Sequence, residues 1–513
     1  MITSTRRRFL QATGAVGALS SLPLLATTER ADAATDTLTL ANASEVSVWD
    51  PNSSTQALIP GNQSIYRVLY DPYVSQKPDL TLAPGACEKF GWNDDRSKIS
   101  LVLRRGMKWH DGAPVTMDDL VWNLMRLADP KSGNPLQGVF ASLKNFNVDG
   151  DTVTFDVAPW RANMLERLSF FTCYLMPKNY YEKVGADGFE KHPIGSGPYM
   201  FDAFERGSFV RLKAFPDYWG GPAGFSTVLY KFITDGSSRV AEIERGTVDV
   251  AIEVPYEDYD RLKSAPKLKG SAIAVADVAM IFFNNIGPFS DDNVRRAAVM
   301  AIDKKAICER IHHGYARPLD TLLTPEYKGF DPNIKTPYDP KQAAELMAKS
   351  GYSPQKPVEL TFQTTRGYKP KDYETVEAIV QMWRRIGINA NIEVYEIAKY
   401  FELRIQHKLA PAAFYDWNNA TGDPESAIGT ALQSQSPQSS WKGGQLDGLL
   451  SQAYTEKNEA KRMAVYREIN TEVAKNAYIC PLFQFYQPVL YSKDLDYTPH
   501  AAGFVLPTSF RRA

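Results

Sequence analysis

Cysteine and histidine are both scarce: 513 residues hold 4 Cys and 6 His. Cys87, Cys173, Cys308 and Cys480 lie far apart and form no C-x-x-C pair, which argues against a metal centre or a dithiol redox site. An oxidising compartment would permit disulfides, and sequence leaves open whether these cysteines pair or stay as buried thiols. His312 and His313 are neighbours, so they cannot share one helical face as a pair of metal ligands. Charge of one sign is also missing: 58 basic against 59 acidic residues give a net charge of −1, with no basic excess to draw nucleic acid. Beyond residue 34 no apolar run is long enough to cross a bilayer. There is no G-x-x-x-x-G-K-S/T phosphate loop, no G-x-S-x-G elbow and no H-E-x-x-H pair. Ser264-Ala265-Pro266-Lys267 matches S-x-x-K, but Pro266 stands where that motif needs a helix. Trp109-His110-Asp111-Gly112 reads as turn-forming residues rather than a catalytic His–Asp pair.

What the chain does have begins with a targeting segment over residues 1–33. Thr5-Arg6-Arg7-Arg8-Phe9-Leu10-Gln11 fits the twin-arginine export pattern. The weakly apolar stretch 12–26 follows, and Ala31-Asp32-Ala33 offers the small residues of a cleavage site, so the signal is expected to end near Ala33. Removing residues 1–33, with four basic and two acidic side chains, takes the net charge from −1 to −3. No cysteine lies near that site, which favours a free periplasmic protein over a lipid-anchored one.

Helical and strand patterns alternate through the rest. Thr116 and Asp119 form a capping box ahead of Leu120, Leu124 and Leu127 on one helical face. Asp149-Gly150 is a hairpin signal before the alternating Val153, Phe155 and Val157. Val228, Tyr230 and Phe232 alternate likewise. Past residue 280 the order becomes strand–helix–strand: Val358, Leu360 and Phe362, then Tyr373, Val376, Val380 and Trp383 on a helix, then Ile388 to Val394. Met463, Tyr466, Ile469 and Val473 mark a late helix. Such an order predicts a largely parallel sheet with both faces covered.

Several segments carry a resemblance when read together. Residues 103–120, with Trp109-His110-Asp111-Gly112-Ala113-Pro114 and Thr116, look like an "HDG-x-P-x-T" signature. His192-Pro193-Ile194-Gly195-Ser196-Gly197-Pro198-Tyr199 looks like "P-x-GTGPY", and Asp217-Tyr218-Trp219-Gly220-Gly221 like "DYWGG". Gly246-Thr247-Val248-Asp249-Val250-Ala251, Pro288-Phe289-Ser290-Asp291 with Val294-Arg295-Arg296-Ala297, and Tyr338-Asp339-Pro340 follow in the same order. This succession resembles the peptide/nickel-binding family of extracytoplasmic solute-binding proteins of ABC importers (family 5, dipeptide- and oligopeptide-binding-like). The resemblance implies an α/β (mixed α+β) fold of the two-lobed, three-subdomain periplasmic-binding-protein type with a hinge. Lobe I would span 35–275, with an inserted subdomain near 67–190. Lobe II would span 276–480, and 481–513 would return to lobe I. The implied function is capture of a small polar organic solute and delivery to the permease subunits in the inner membrane, by a monomer without catalytic activity, cofactor or metal. An exported hydrolase and a nickel-type metal-chelate carrier are the alternatives.

The same resemblance nominates binding residues. In peptide-binding members, "G-W-x-x-D-x-x-DP" supplies an Asp that meets the peptide's amino group. Here Asp416-Trp417-Asn418-Asn419-Ala420-Thr421-Gly422-Asp423-Pro424 puts Ala420 at that position and Asp416 where Gly is usual. A free α-amine would then be buried without its partner at large cost, which points to a short glycoside, an opine-like conjugate or a peptide lacking a free amine. Arg366 matches a carboxylate-contacting position of dipeptide binders and could equally be a surface residue. Trp417 stands at a pocket-lining position, with Asn418 and Asn419 beside it as neutral donors and acceptors. Thr55, Gln56 and Ala57 would form the lobe I edge, and Phe485 would approach from the last strand.

Overall fold

Two strands far longer than the others, Leu268–Phe283 and Ile479–Ser492, run antiparallel at the centre of an 11-stranded sheet. The computed structural model describes residues 36–513 except 54, 419, 437 and 440; the targeting segment therefore lies outside the described residues. Residues 37–513 form one compact unit. Over residues 275–283, Asp277 apart, the first long strand is apolar on both faces. Val275, Ala279, Ile281 and Phe283 point into one core, and Ala276, Val278, Met280 and Phe282 into another. That period of two on both sides is the mark of a strand covered above and below. The pairing slips between Ala274 and Val278 and again between Ala279 and Met280, which bends the pair at mid-length.

On one side the sheet continues through Ala412–Asn418, Val358–Thr364 and Ile388–Val394; on the other it continues through Val250–Ile252, Thr37–Asn42, Thr227–Phe232, Phe209–Ala214 and Tyr199–Glu205. The expected largely parallel sheet is corrected to a mixed one. Strand pairs 358/388, 358/412, 37/250 and 37/227 are parallel, but the central pair and the 199–232 edge are antiparallel. The strand–helix–strand pattern of residues 358–394 is real and local. The chain enters that half along one long strand and leaves along the other, so the two must run in opposite senses.

A second sheet, ordered Cys87–Trp92, Lys98–Leu103, Thr152–Val157 and Leu143–Asp149, covers a core of its own drawn from residues 73–175. The helix Met117–Ala128 packs there through Leu120, Leu124 and Leu127, all fully buried, behind the Thr116–Asp119 capping box. The Asp149-Gly150 turn joins its last two strands, with Gly150 at φ 58°. All four cysteines are buried free thiols. Ser264 to Lys267 form the turn leading into the first long strand.

His110 is a brace. Its Nδ1 accepts from Gly195 N–H (3.0 Å), so Nε2 carries the proton and donates to the Gly197 carbonyl (3.0 Å), while Gly197 N–H reaches Leu69 O at the end of the helix Pro60–Leu69 (3.1 Å). Burial lowers the His110 pKa to about 4, so the ring stays neutral in this role. A Cβ on Gly195 would press into the Leu69 carbonyl oxygen, far inside contact distance. Gly195→Ala is therefore expected to cost about 1–3 kcal/mol by overpacking. Urea unfolding measures this, and an unchanged midpoint would mean that the turn can pull away from the helix end.

Candidate ligand cavity

The loop after the strand Val358–Thr364 is shaped by one carboxylate. Asp372, 2% exposed, accepts from Thr365 Oγ1 (2.7 Å) and from the backbone N–H groups of Gly367 (2.9 Å), Tyr368 (3.1 Å) and Lys369 (3.3 Å). Four donors converging on one carboxylate fix the loop's path. That path turns Tyr368 and Lys369 inward and leaves Arg366 outside. Arg366 is exposed and lies over the Tyr373 ring at 3.7 Å. Arg366, nominated for a carboxylate contact, thus faces away from the interior.

Tyr368 forms one wall of a cavity of about 140 Å³. The strand Ala412–Asn418 supplies Tyr415, Asp416, Trp417 and Asn418, and the helix Ile397–Ile405 supplies Phe401 and Arg404, one turn apart on the same face. Phe170 and Phe171, stacked at 4.4 Å, close another side with Arg167. The rings brace each other: Tyr400 lies parallel to Tyr415 at 6.2 Å, and Tyr415 meets Phe401 and Trp417 edge-on at 6.1 and 6.0 Å. An aromatic lining with a few converging polar groups is what a small-molecule site requires.

Two buried charge clusters frame it. Lys369 Nζ bonds Asp277 Oδ2 (2.6 Å) and Asp416 Oδ2 (3.0 Å), with both carboxylates about 6% exposed. Asp277 and Asp416 sit diagonally across adjacent strands, on one face. Burial lifts the Asp416 pKa to about 7 against the pull of Lys369, and the neighbouring Asp277 adds to the rise. Two carboxylates sharing one ammonium thus keep a proton close to neutrality. On the other flank, Glu425 accepts from Asn163 Nδ2 (2.6 Å) and pairs with Arg167, with Arg161 at 3.7 Å.

Of the residues nominated from sequence, Asp416, Trp417 and Asn418 stand on the cavity wall. Ala420 lies behind it, 1% exposed, its carbonyl accepting from Gln76 Nε2 at 2.7 Å. Ala57, in the short helix Thr55–Leu58, is fully buried in another core, and Leu58 of the same helix reaches the cavity instead. Phe485 packs on Phe483 and His312, on a strand paired with Ala316–Pro318, and does not line this cavity. Asn419 and the side chains of Thr55 and Gln56 lie outside the described residues. Sequence reasoning missed Tyr368, Lys369, Phe401, Arg404, Tyr415 and Arg167. Only the Phe401–Arg404 spacing, an aromatic and a cation on one helical face, offered a signal beforehand.

Residues 81–439 match the family model described as bacterial extracellular solute-binding proteins, family 5 middle. The chain is 25% identical over 445 residues to the haem-binding protein A of Haemophilus influenzae, covering 81% of each. It is 24% identical over 483 residues to the dipeptide-binding protein of Escherichia coli, covering 87% of this chain and 89% of that one. The crystal structure of a dipeptide-binding protein from Pseudoalteromonas sp. SM9913 in complex with Met-Leu superposes with a TM-score of 0.82 at 20% identity, over 93% of this chain and all of that one.

Proposed function

Because the chain belongs to the bacterial extracellular solute-binding proteins of family 5, we propose that it captures a small polar organic solute in the periplasm and delivers it to the membrane permease of an ABC importer. The observation that carries this reading is the aromatic cavity, partly open to solvent, walled by segments as distant in sequence as Phe170 and Trp417 and flanked by a buried ion pair between Arg167 and Glu425. Closure around a solute would take it out of water, and the fixed polar groups would then discriminate strongly. The protein acts as a monomer that binds without transforming its ligand.

The export route proposed from sequence stands with this reading: twin-arginine translocation with cleavage near Ala33. So does the division into lobe I (35–275 with the insertion near 67–190, and 481–513) and lobe II (276–480). What supports the division is that two cores fall largely on either side of it, while a third joins Phe170, Phe171 and Phe504 to residues 276–479 where the lobes would meet. One core gathers residues 38–252 with 489–510, and another gathers residues 275–485. The bulged centre of the long strand pair is where a hinge would bend.

The decisive experiment is mass spectrometry of small molecules released when freshly purified protein is denatured, followed by titration of the released molecule into protein refolded without it. A single species, bound again and recovered unchanged, is expected. A chemically altered product would point to the exported hydrolase instead. Unmodified dipeptides are expected to give no heat up to about 1 mM, a binding energy weaker than about −4 kcal/mol. Ala420 offers no carboxylate to an α-amine, and Asp277 and Asp416 already share Lys369. Tight dipeptide binding would overturn that exclusion.

A further inference from the structure

Arg404 is a buried guanidinium with too few partners. It is 7% exposed, and its Nη2 donates to Gln438 Oε1 at 3.2 Å. Its Nε is buried with no hydrogen-bond acceptor among the described residues, and among them no carboxylate stands within ion-pair distance of it. What surrounds it is aromatic: Tyr415 at 4.4 Å from the ring centre, Phe401 at 5.1 Å and Trp417 at 5.5 Å. Ring faces attract a cation but do not accept its N–H bonds in the guanidinium plane. A buried, under-bonded charge is costly unless something completes it. The neighbouring acids are committed elsewhere: Asp416 is held by Lys369, and Glu425 by Arg167.

We infer that Arg404 is the anion seat of the cavity and that the ligand is a small ring-bearing carboxylate. A carboxylate matches the planar, forked donor pattern of a guanidinium better than any neutral group does. The ring follows from size and lining. A cavity of about 140 Å³ is close to the ~150 Å³ that accommodates a benzene ring in an apolar protein interior. Tyr415, Phe401 and Trp417 offer faces for a planar ring or for the C–H face of a sugar. Asn418, whose Oδ1 is buried without a donor among the described residues, faces the same space and takes one N–H or O–H from the far end of the ligand. Arg404 thereby fills the role that the sequence assigned to Arg366. This inference rests on the solute-binding reading and narrows its substrate class.

The test uses the full-length exported protein, stripped of ligand by reversible unfolding, in calorimetric titrations with two ring carboxylates, benzoate and D-glucuronate, and their uncharged amides. Binding of at least one carboxylate is expected, at least tenfold tighter than its amide, and which one binds tells an aryl acid from a sugar acid. Arg404→Gln is expected to abolish that preference, and Arg404→Lys, which keeps the charge without the fork, to retain only part of it. Circular dichroism establishes that each variant is folded, and the wild-type acid-to-amide comparison stands without any variant. Failure of both acids to bind, amides binding as well as acids, or an undiminished preference in Arg404→Gln overturns the inference. A neutral or cationic molecule released from the native protein overturns it too, while leaving solute capture intact. A chemically processed product would instead bring down the solute-binding reading itself.

Discussion

Glu425→Ala is expected to weaken solute binding a hundredfold or more and to enlarge the molecule in solution. In the proposed division Arg167 belongs to lobe I and Glu425 to lobe II, with side-chain exposures of 6% and 7%. Glu425 also accepts from Asn163 at 2.6 Å. Removing one member of a buried pair costs about 3–5 kcal/mol, because the other is left charged in a dry place. Arg167 has a cheaper escape than unfolding: the lobes separate and water returns to it. The penalty then falls on the closed state alone, the one that holds the solute. At about 1.4 kcal/mol per tenfold, that is two to three orders of magnitude in affinity. Titration with the molecule released from the native protein measures the loss, and small-angle scattering reads the increase in radius of gyration. Burial pushes the Glu425 pKa up, but Arg167 and Arg161 more than offset this and hold it below the usual carboxylate value. The pair's contribution is thus complete above the ordinary Glu pKa and is lost as pH falls through the lower folded value. Wild-type affinity unchanged in Glu425→Ala would show that the pair plays no part in closure. Recovery of affinity in Arg167→Met/Glu425→Leu would identify the stranded charge, rather than the lost attraction, as the source of the defect.

How much of this was legible beforehand follows from where each signal resides. Local periodicity is written in neighbouring residues, so the helix Met117–Ala128 and its capping box, the 149–150 hairpin and the strand 358–364 could all be read directly. The direction of the central strands could not, because it depends on partners some 200 residues away, as in the pairing of Lys269 with Tyr491. The cavity divides in the same way. Asp416, Trp417 and Asn418 could be nominated because a motif fixes their place on one strand, and they line the candidate cavity. Arg404 was missed because its meaning lies in the three rings that two separate elements bring over it. Arg366 and Lys369 share a short loop, and nothing in Thr365-Arg366-Gly367-Tyr368-Lys369 says which cation turns inward. Asp372 decides that by gathering the loop's N–H groups, a tertiary effect of a residue that alone reads as the start of a helix.

Lys369→Met is expected to lower unfolding stability at pH 7.5 by about 3–5 kcal/mol, the cost of leaving buried charge without its partner. Methionine keeps the length and apolar stem of the side chain, so little of the loss comes from a cavity. Burial works against the Lys369 charge, but Asp277 and Asp416 outweigh it and hold its pKa well above the ordinary lysine value. The lysine's own titration therefore leaves the ammonium in place at every pH below about 10.4 and removes it only in strong alkali. The acids set the pH dependence. Asp416 titrates at about 7 in the folded protein, against ~3.9 for an unfolded Asp. Between those values the folded state holds the extra proton, so this group's contribution declines as pH rises. Taking away the ammonium leaves the two carboxyls to repel each other, steepens that decline and makes the variant's deficit smaller at pH 5 than at pH 7.5. Urea unfolding at the two pH values measures both. Lys369→Met/Asp277→Asn/Asp416→Asn removes the buried charges together and is expected to regain most of the lost stability at pH 7.5. A deficit equal at both pH values, or one that the triple variant fails to reduce, would show that Lys369 matters for packing rather than for the charge it neutralises.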